Sequence, residues 1–300
     1  MYGRQNALPA ERMKNMAQFT NRASISYNGM TADSNIVTGE IVQVLTAEKT
    51  VLPTTYRSGE VLTYAVSIAN SGTTPITGLT ITDDLGAYNI GAATAVPLSF
   101  AGGSVLYYVN GALQAAPAVT PGAPLVISGI SVPAGGSALI VYRAQVNDFA
   151  PPAEGGTITN RALISGGGLS EPVAATAAAN AEPAAALEII KALRPTTVTE
   201  NGELFYTFTI QNSGAREAGA DAAVVLRDTF DPRLNAPITV TLGGDSLPQA
   251  GNWTYDAASG EFATVAGRLI VPAATFTQNQ TTGAWSTTPG VTVLTVSGTI

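Results

Sequence analysis

The chain has neither cysteine nor histidine among its 300 residues. Without cysteine there are no disulfides and no thiolate chemistry. Without histidine there is no Ser-His-Asp triad and no imidazole base near neutral pH; the usual zinc ligand sets go with the pair. Charge is also scarce, at 12% of residues, and the net balance is −7. No cluster of Lys or Arg exists to track a phosphate backbone, so nucleic acid is not an expected partner. No apolar run is long enough to cross a bilayer, so no membrane span is expected. The opening MYGRQNALPAERMKNMAQ lacks the apolar centre of a signal peptide, and translation from Met16 fits as well as from Met1. No cofactor and no metal are expected; Asp83, Asp84 and Asp148 lack the dense acidic spacing of a calcium loop. With no convergent acid pair marked either, an enzyme is not the expected class.

What is present is short apolar runs rich in Thr, Ala and Val, punctuated by Gly and Pro. Half-buried strands favour β-branched residues, and tight turns need special backbone angles, so the expected fold is all-β.

An internal repeat organises the chain. Lys49 is followed by Gly59-Glu60, Leu62-Thr63-Tyr64 and Asn70-Ser71-Gly72; Lys191 is followed by Gly202-Glu203, Leu204-Phe205-Tyr206 and Asn212-Ser213-Gly214. Further on, Ile130 to Ala134 matches Leu269 to Ala273, and each copy reaches an alternating strand, Ala138 to Val146 and Val291 to Ile300. The first copy then continues into a hairpin, with Thr159-Asn160-Arg161-Ala162-Leu163-Ile164-Ser165 and a return run from Pro172 to Ala177. The second copy has no such hairpin before Ile300. A near copy lies instead at the start, Thr20-Asn21-Arg22-Ala23-Ser24-Ile25-Ser26, identical at six of seven positions and followed by an Asn28-Gly29 type I′ turn and a return run from Ser34 to Val42.

The order hairpin, body, hairpin, body sets the expected domains. They are a flexible lead (1–16), a donor hairpin (17–43), a complete first sandwich (44–180), a linker (181–187), and a second sandwich (188–300) lacking its closing hairpin. The expected architecture is two tandem immunoglobulin-like β-sandwiches, the second completed by the N-terminal hairpin of another subunit. A sheet lacking its last strands leaves unpaired edge groups and open core, and strand addition cures both. The same contact repeated head to tail builds a homopolymer. The expected donor side chains are Phe19, Ala23, Ile25, Tyr27, Ile36 and Val37. Two other placements stay open: the hairpin folds back onto its own second domain, or packs on the first.

The Lys, the Gly-Glu and Leu-x-Tyr strand, Asn-Ser-Gly, the Thr82-Asp83 or Arg227-Asp228 step and the closing Thr-Asn-Arg-Ala together resemble a conserved repeat of bacterial surface proteins, domain of unknown function eleven. The resemblance implies immunoglobulin-like sandwiches on a bacterial surface. It also implies internal isopeptide chemistry, in which a Lys amine condenses with an Asn side chain beside a proton-shuttling acid. On this chain it maps to Lys49, Asn160 and Asp83 (Asp84 as substitute acid) within the first copy. In the second copy it maps to Lys191 and Asp228, with Asn21 supplied by the donated hairpin. The expected function is therefore a structural, non-enzymatic filament subunit at a cell or spore surface. The rival is a monomeric adhesin or ligand-binding module. Trp253, Tyr255, Trp285, Tyr107 and Tyr108 are expected in cores and cross-strand pairs rather than in a sugar-binding platform.

Overall fold

A computed structural model describes residues 16–300, and among them the regular elements are β-strands and one 3₁₀ turn at Ala220–Ala222. The expected lead lies outside the described residues, save that Met16 begins a strand. The N-terminal hairpin consists of β1 (Met16–Asn21), β2 (Ser24–Tyr27), β3 (Met30–Asp33) and β4 (Val37–Val42). β1 pairs with β4 and β2 with β3, both antiparallel. Asn28 and Gly29 both take positive φ, as a type I′ turn requires. The return run from Ser34 is not one strand: the register slips by one residue around Asn35–Ile36, which bends it.

The first sandwich opens with β5 (Leu45–Leu52), β6 (Thr55–Tyr56), β7 (Val61–Asn70) and β8 (Ile76–Asp83). Short strands follow: β9 (Tyr88–Ile90), β10 (Ala93–Ala95), β11 (Leu98–Phe100), β12 (Leu106–Val109), β13 (Ala112–Leu113) and β14 (Ala118–Thr120). It ends with β15 (Leu125–Val132), β16 (Ser137–Val146), β17 (Thr157–Gly166) and β18 (Val173–Ala181). One sheet runs β13-β12-β16-β7-β5 and the other β14-β15-β8-β17-β18-β6. Period-two alternation sends Leu62, Tyr64, Val66 and Ile68 of β7 and Ile158, Asn160, Ala162 and Ile164 of β17 into one core. β18 packs along β5 of the facing sheet, so the closing hairpin seals the side where Lys49 lies.

The second sandwich contains β19 (Leu187–Arg194), β20 (Glu203–Asn212), β21 (Arg227–Thr229), β22 (Thr239–Leu242), β23 (Asp245–Ser246) and β24 (Trp253–Asp256). β25 (Glu261–Thr264), β26 (Thr275–Gln278), β27 (Trp285–Thr288) and β28 (Gly290–Thr299) complete it. Its main sheet, β19-β20-β28-β22-β23, repeats the order β5-β7-β16-β12-β13 strand for strand. The facing sheet is only β21-β25-β24, the counterpart of β8-β15-β14. Nothing among the described residues pairs with the outer edge of β21, where β8 has β17 and β18.

Both copies share a buried asparagine. Asn70 Nδ2 donates to the carbonyls of Thr74 and Pro133, and Gly72 N donates to its Oδ1. Asn212 makes the same set with Arg216, Pro272 and Gly214. The two sandwiches also touch. The β26–β27 hairpin replaces the Gly135–Gly136 turn of the first copy and reaches back to the first sandwich. There Gln278 and Trp285 both donate to Tyr88 Oη, at 3.0 and 3.3 Å.

Candidate functional site

Lys49 lies in the core because of its place in β5: Leu45, Ala47, Lys49 and Val51 share the inward phase. Asp83 ends β8 facing inward, and Asn160 faces inward two residues before the Ala162–Asp83 pair that joins β17 to β8. Thus the two sheets bring all three residues together. Lys49 Nζ stands 2.6 Å from Asp83 Oδ2, both side chains fully buried. Tyr142 Oη donates to the same oxygen at 2.5 Å and accepts from Asn160 Nδ2 at 3.1 Å. Asn160 Oδ1 is buried without a hydrogen-bond partner. Tyr64 and Tyr142 stack at 5.4 Å between ring centroids, and Lys49 Nζ lies 5.0 Å from the Tyr64 ring.

Burial pushes the Lys49 ammonium below its usual range, against the pull of Asp83. Burial, then the Asp83 charge, keep the Tyr142 phenol protonated well beyond its ordinary range. Asp84, the substitute acid, is committed elsewhere. Its Oδ1 accepts from the backbone amides of Gly86 and Arg161, tying β17 to the turn after β8.

The second site is half-built. Lys191 Nζ and Asp228 Oδ2 are 2.5 Å apart, with side chains 41% and 17% exposed. Tyr206 takes the place of Tyr64, 4.7 Å from Lys191 Nζ. Opposite Tyr206, however, is Val296, where Tyr142 stands opposite Tyr64. Asn21 is on the exposed hairpin, paired with Val37. A groove beside Asp228 is lined by Arg227, Tyr255, Asp256 and Glu261. Asp256 there serves a turn: the Ala258 amide and the Ser259 hydroxyl hold its carboxyl below the usual range.

The missing cover shows on both faces. Leu45 and Val51 are 1% and 6% exposed, whereas their counterparts Leu187 and Leu193 are 40% and 36% exposed. Ile158, Ala162 and Ile164 are buried, whereas their counterparts Phe19, Ala23 and Ile25 are exposed, as are Tyr27, Ile36 and Val37. Every residue from Phe19 to Thr38 is exposed, so in the isolated chain the hairpin covers neither sandwich. Facing pairs have changed together: Ile158 lies opposite Ala179, and Phe19 lies opposite Gly39, where a Cβ would collide with the Phe19 ring.

Of the aromatics, Trp253 and Tyr107 are buried, and Tyr255 Oη bonds to the backbone of Leu234. Trp285 lies at the contact between the sandwiches. No His, Cys, Asp or Glu group suited to a metal occurs among the described residues, and no helix there is long and apolar enough to cross a membrane.

No family model and no curated protein matches the chain. Among solved structures, the pilus backbone RrgB of Streptococcus pneumoniae aligns over 82% of this chain and 55% of its own length, at 12% identity and TM-score 0.34. The major pilin BcpA of Bacillus cereus aligns over 91% of this chain and 73% of its own, at 10% identity and TM-score 0.34. A collagen-binding domain of a Staphylococcus aureus adhesin aligns over 47% of this chain and 99% of its own, at 13% identity and TM-score 0.30. The chain thus spans about half of the pneumococcal backbone, and likeness of this degree assigns no function.

Proposed function

We propose that the chain is a structural subunit of a cell- or spore-surface filament, in which the β1–β4 hairpin of one molecule completes the second sandwich of the next. The observation that carries this is the paired exposure of equivalent faces: β19 is open where β5 is covered, and the hairpin is bare where β17 and β18 are buried. The hairpin adds its first strand to the free edge of β21, with Ala23 opposite Asp228 as Ala162 is opposite Asp83. Its second strand lies over β19. A lone two-stranded hairpin is marginal in water, so a docking partner also stabilises the donor.

Magnitudes argue for a lock. Covering Leu187, Ile189, Leu193, Phe19, Ile25 and Tyr27 contributes on the order of 10 kcal/mol at about 1.5–3 kcal/mol per fully buried side chain. Association costs roughly 4–15 kcal/mol. The apolar contact and edge hydrogen bonds therefore hold a joint that still dissociates.

The lock in this proposal is an isopeptide bond. Lys49 condenses with Asn160 inside the first sandwich, and Lys191 condenses with Asn21 of the neighbouring molecule. In each case the Lys nitrogen bonds to the Asn Cγ, the Asn nitrogen leaves as ammonia, and Asp83 or Asp228 carries the proton.

Electron microscopy of the native chain and intact-mass analysis of boiled gel bands test the two parts. Filaments, and a ladder lighter by one ammonia per subunit and one more per joint, are expected; Lys191→Met or Asn21→Ala collapses the ladder. Filaments that boil down to monomers lighter by one ammonia would remove the lock between subunits alone, and monomers of full mass would remove the internal bond as well. Discrete monomers in native samples would overturn the filament and favour a monomeric binding module.

A further inference from the structure

Asp83 reaches the amide nitrogen of Asn160 through Tyr142. The phenol oxygen is 2.5 Å from Asp83 Oδ2 and 3.1 Å from Asn160 Nδ2. The same Oδ2 is 2.6 Å from Lys49 Nζ. One carboxylate oxygen therefore faces both the nucleophile and the phenol, and the phenol faces the leaving group.

We propose that Tyr142 is a catalytic residue of the internal cross-link, relaying a proton from Asp83 to the departing Asn160 nitrogen. The inference rests on the reading that Lys49 and Asn160 condense. Lys49 first gives a proton to Asp83 Oδ2, which leaves a neutral amine and a neutral acid in a site where charge is costly. The amine then attacks Cγ of Asn160; the N–C bond forms and the carbonyl pair moves to Oδ1. The former amide nitrogen becomes pyramidal and basic. Tyr142 gives it the phenolic proton and takes the Asp83 proton in the same movement. Asp83, again a carboxylate, removes a proton from the Lys49 nitrogen. The Oδ1 pair returns, the old C–N bond breaks, and ammonia leaves. Tyr142 ends as it began.

The second site differs at this point, because Val296 stands at the corresponding position. A bond between Lys191 and a donated Asn21 would form without the phenol, and hence more slowly than the internal one. The molecule would then close its first sandwich before its joints become permanent.

The test follows newly synthesised full-length chain by intact mass, so that the reaction starts from zero. Wild type is compared with Tyr142→Phe and with a chain carrying a fluorinated tyrosine at position 142. The expected result is loss of one ammonia by wild type and a Tyr142→Phe rate lower by about 100-fold, in the range of general acid catalysis. The fluorinated chain, with its more acidic phenol, should show a changed rate. Should Tyr142→Phe fail to fold, the fluorinated chain decides alone. A folded Tyr142→Phe reacting at the wild-type rate overturns the relay, as does a rate indifferent to fluorination. Wild type that keeps its full mass overturns the cross-link beneath it, a result distinct from either.

Discussion

Leu45 and Leu187 hold the same position in the two copies of one repeat, yet Leu45 is 1% exposed and Leu187 is 40% exposed. The difference lies in what covers them, since β18 packs along β5 and no described strand packs in the same way along the inward face of β19.

The two leucines should therefore fail in different ways. Leu45→Ala should cost about 2–5 kcal/mol of stability, as buried leucines do. Leu187→Asp should leave the unfolding midpoint of the monomer unchanged within about 0.5 kcal/mol and abolish assembly. Chemical denaturation and analytical sedimentation measure the two quantities; an assembling Leu187→Asp chain would contradict the proposed docking face.

A second prediction concerns pH. An amide-bonded Lys49 does not titrate, but in Asn160→Ala it does. Burial lowers its folded-state value below the ordinary 10.5. Between those two values the unfolded chain binds the extra proton, so the Lys49 contribution to the variant's stability should rise with pH up to about 10.5 and level off above it. Wild type should lack this rise. Urea midpoints across that window decide, and equal slopes in the two proteins would argue that Lys49 is free in both.

The β26–β27 hairpin predicts a stiff link within each subunit. Besides the Tyr88 contacts, the Trp285 amide donates to the Asp148 carbonyl, and Arg216 pairs with Glu154 at 2.6 Å. Gly283 lies where an added Cβ would meet Ile90 and Ala95. Gly283→Val should push the hairpin tip off the first sandwich and broaden the interdomain distance distribution in small-angle scattering or fluorescence transfer. Each sandwich should keep its own unfolding midpoint. An unchanged distribution would show that the contact does not set the link.

Much of this architecture was legible because local signals agreed. The Lys49 and Lys191 strands align over a constant spacing, and the Asn-Ser-Gly motifs mark the same buried asparagine knot in both copies. Asn28-Gly29 takes the positive φ values of its turn. Tyr142 was not legible as part of the site. Its inward phase could be read from the Ile140-Tyr142-Ala144 alternation, but only strand pairing across β7 and the approach of β17 place it between Asp83 and Asn160. Trp285 pairs across strands with Gln278, as expected, but its contact with Tyr88 of the other sandwich was not legible. Residues 274–289 have no counterpart in the first copy, and a repeat alignment shows such an insertion without showing what it touches.

The most direct test of hairpin exchange uses the absence of native cysteine. Leu163 is opposite Thr82 in the first sandwich, which makes Ser24 opposite Arg227 in the proposed joint. A chain carrying both Ser24→Cys and Arg227→Cys on a Lys191→Met background, which forms no isopeptide joint, oxidised and run on a denaturing gel without reductant, should give a ladder of disulfide-linked multimers that reductant abolishes. Neither single variant should give more than a dimer. A monomer with an internal disulfide would show that the hairpin closes its own chain, and a monomer with two free thiols would show that the hairpin does not meet β21 at all.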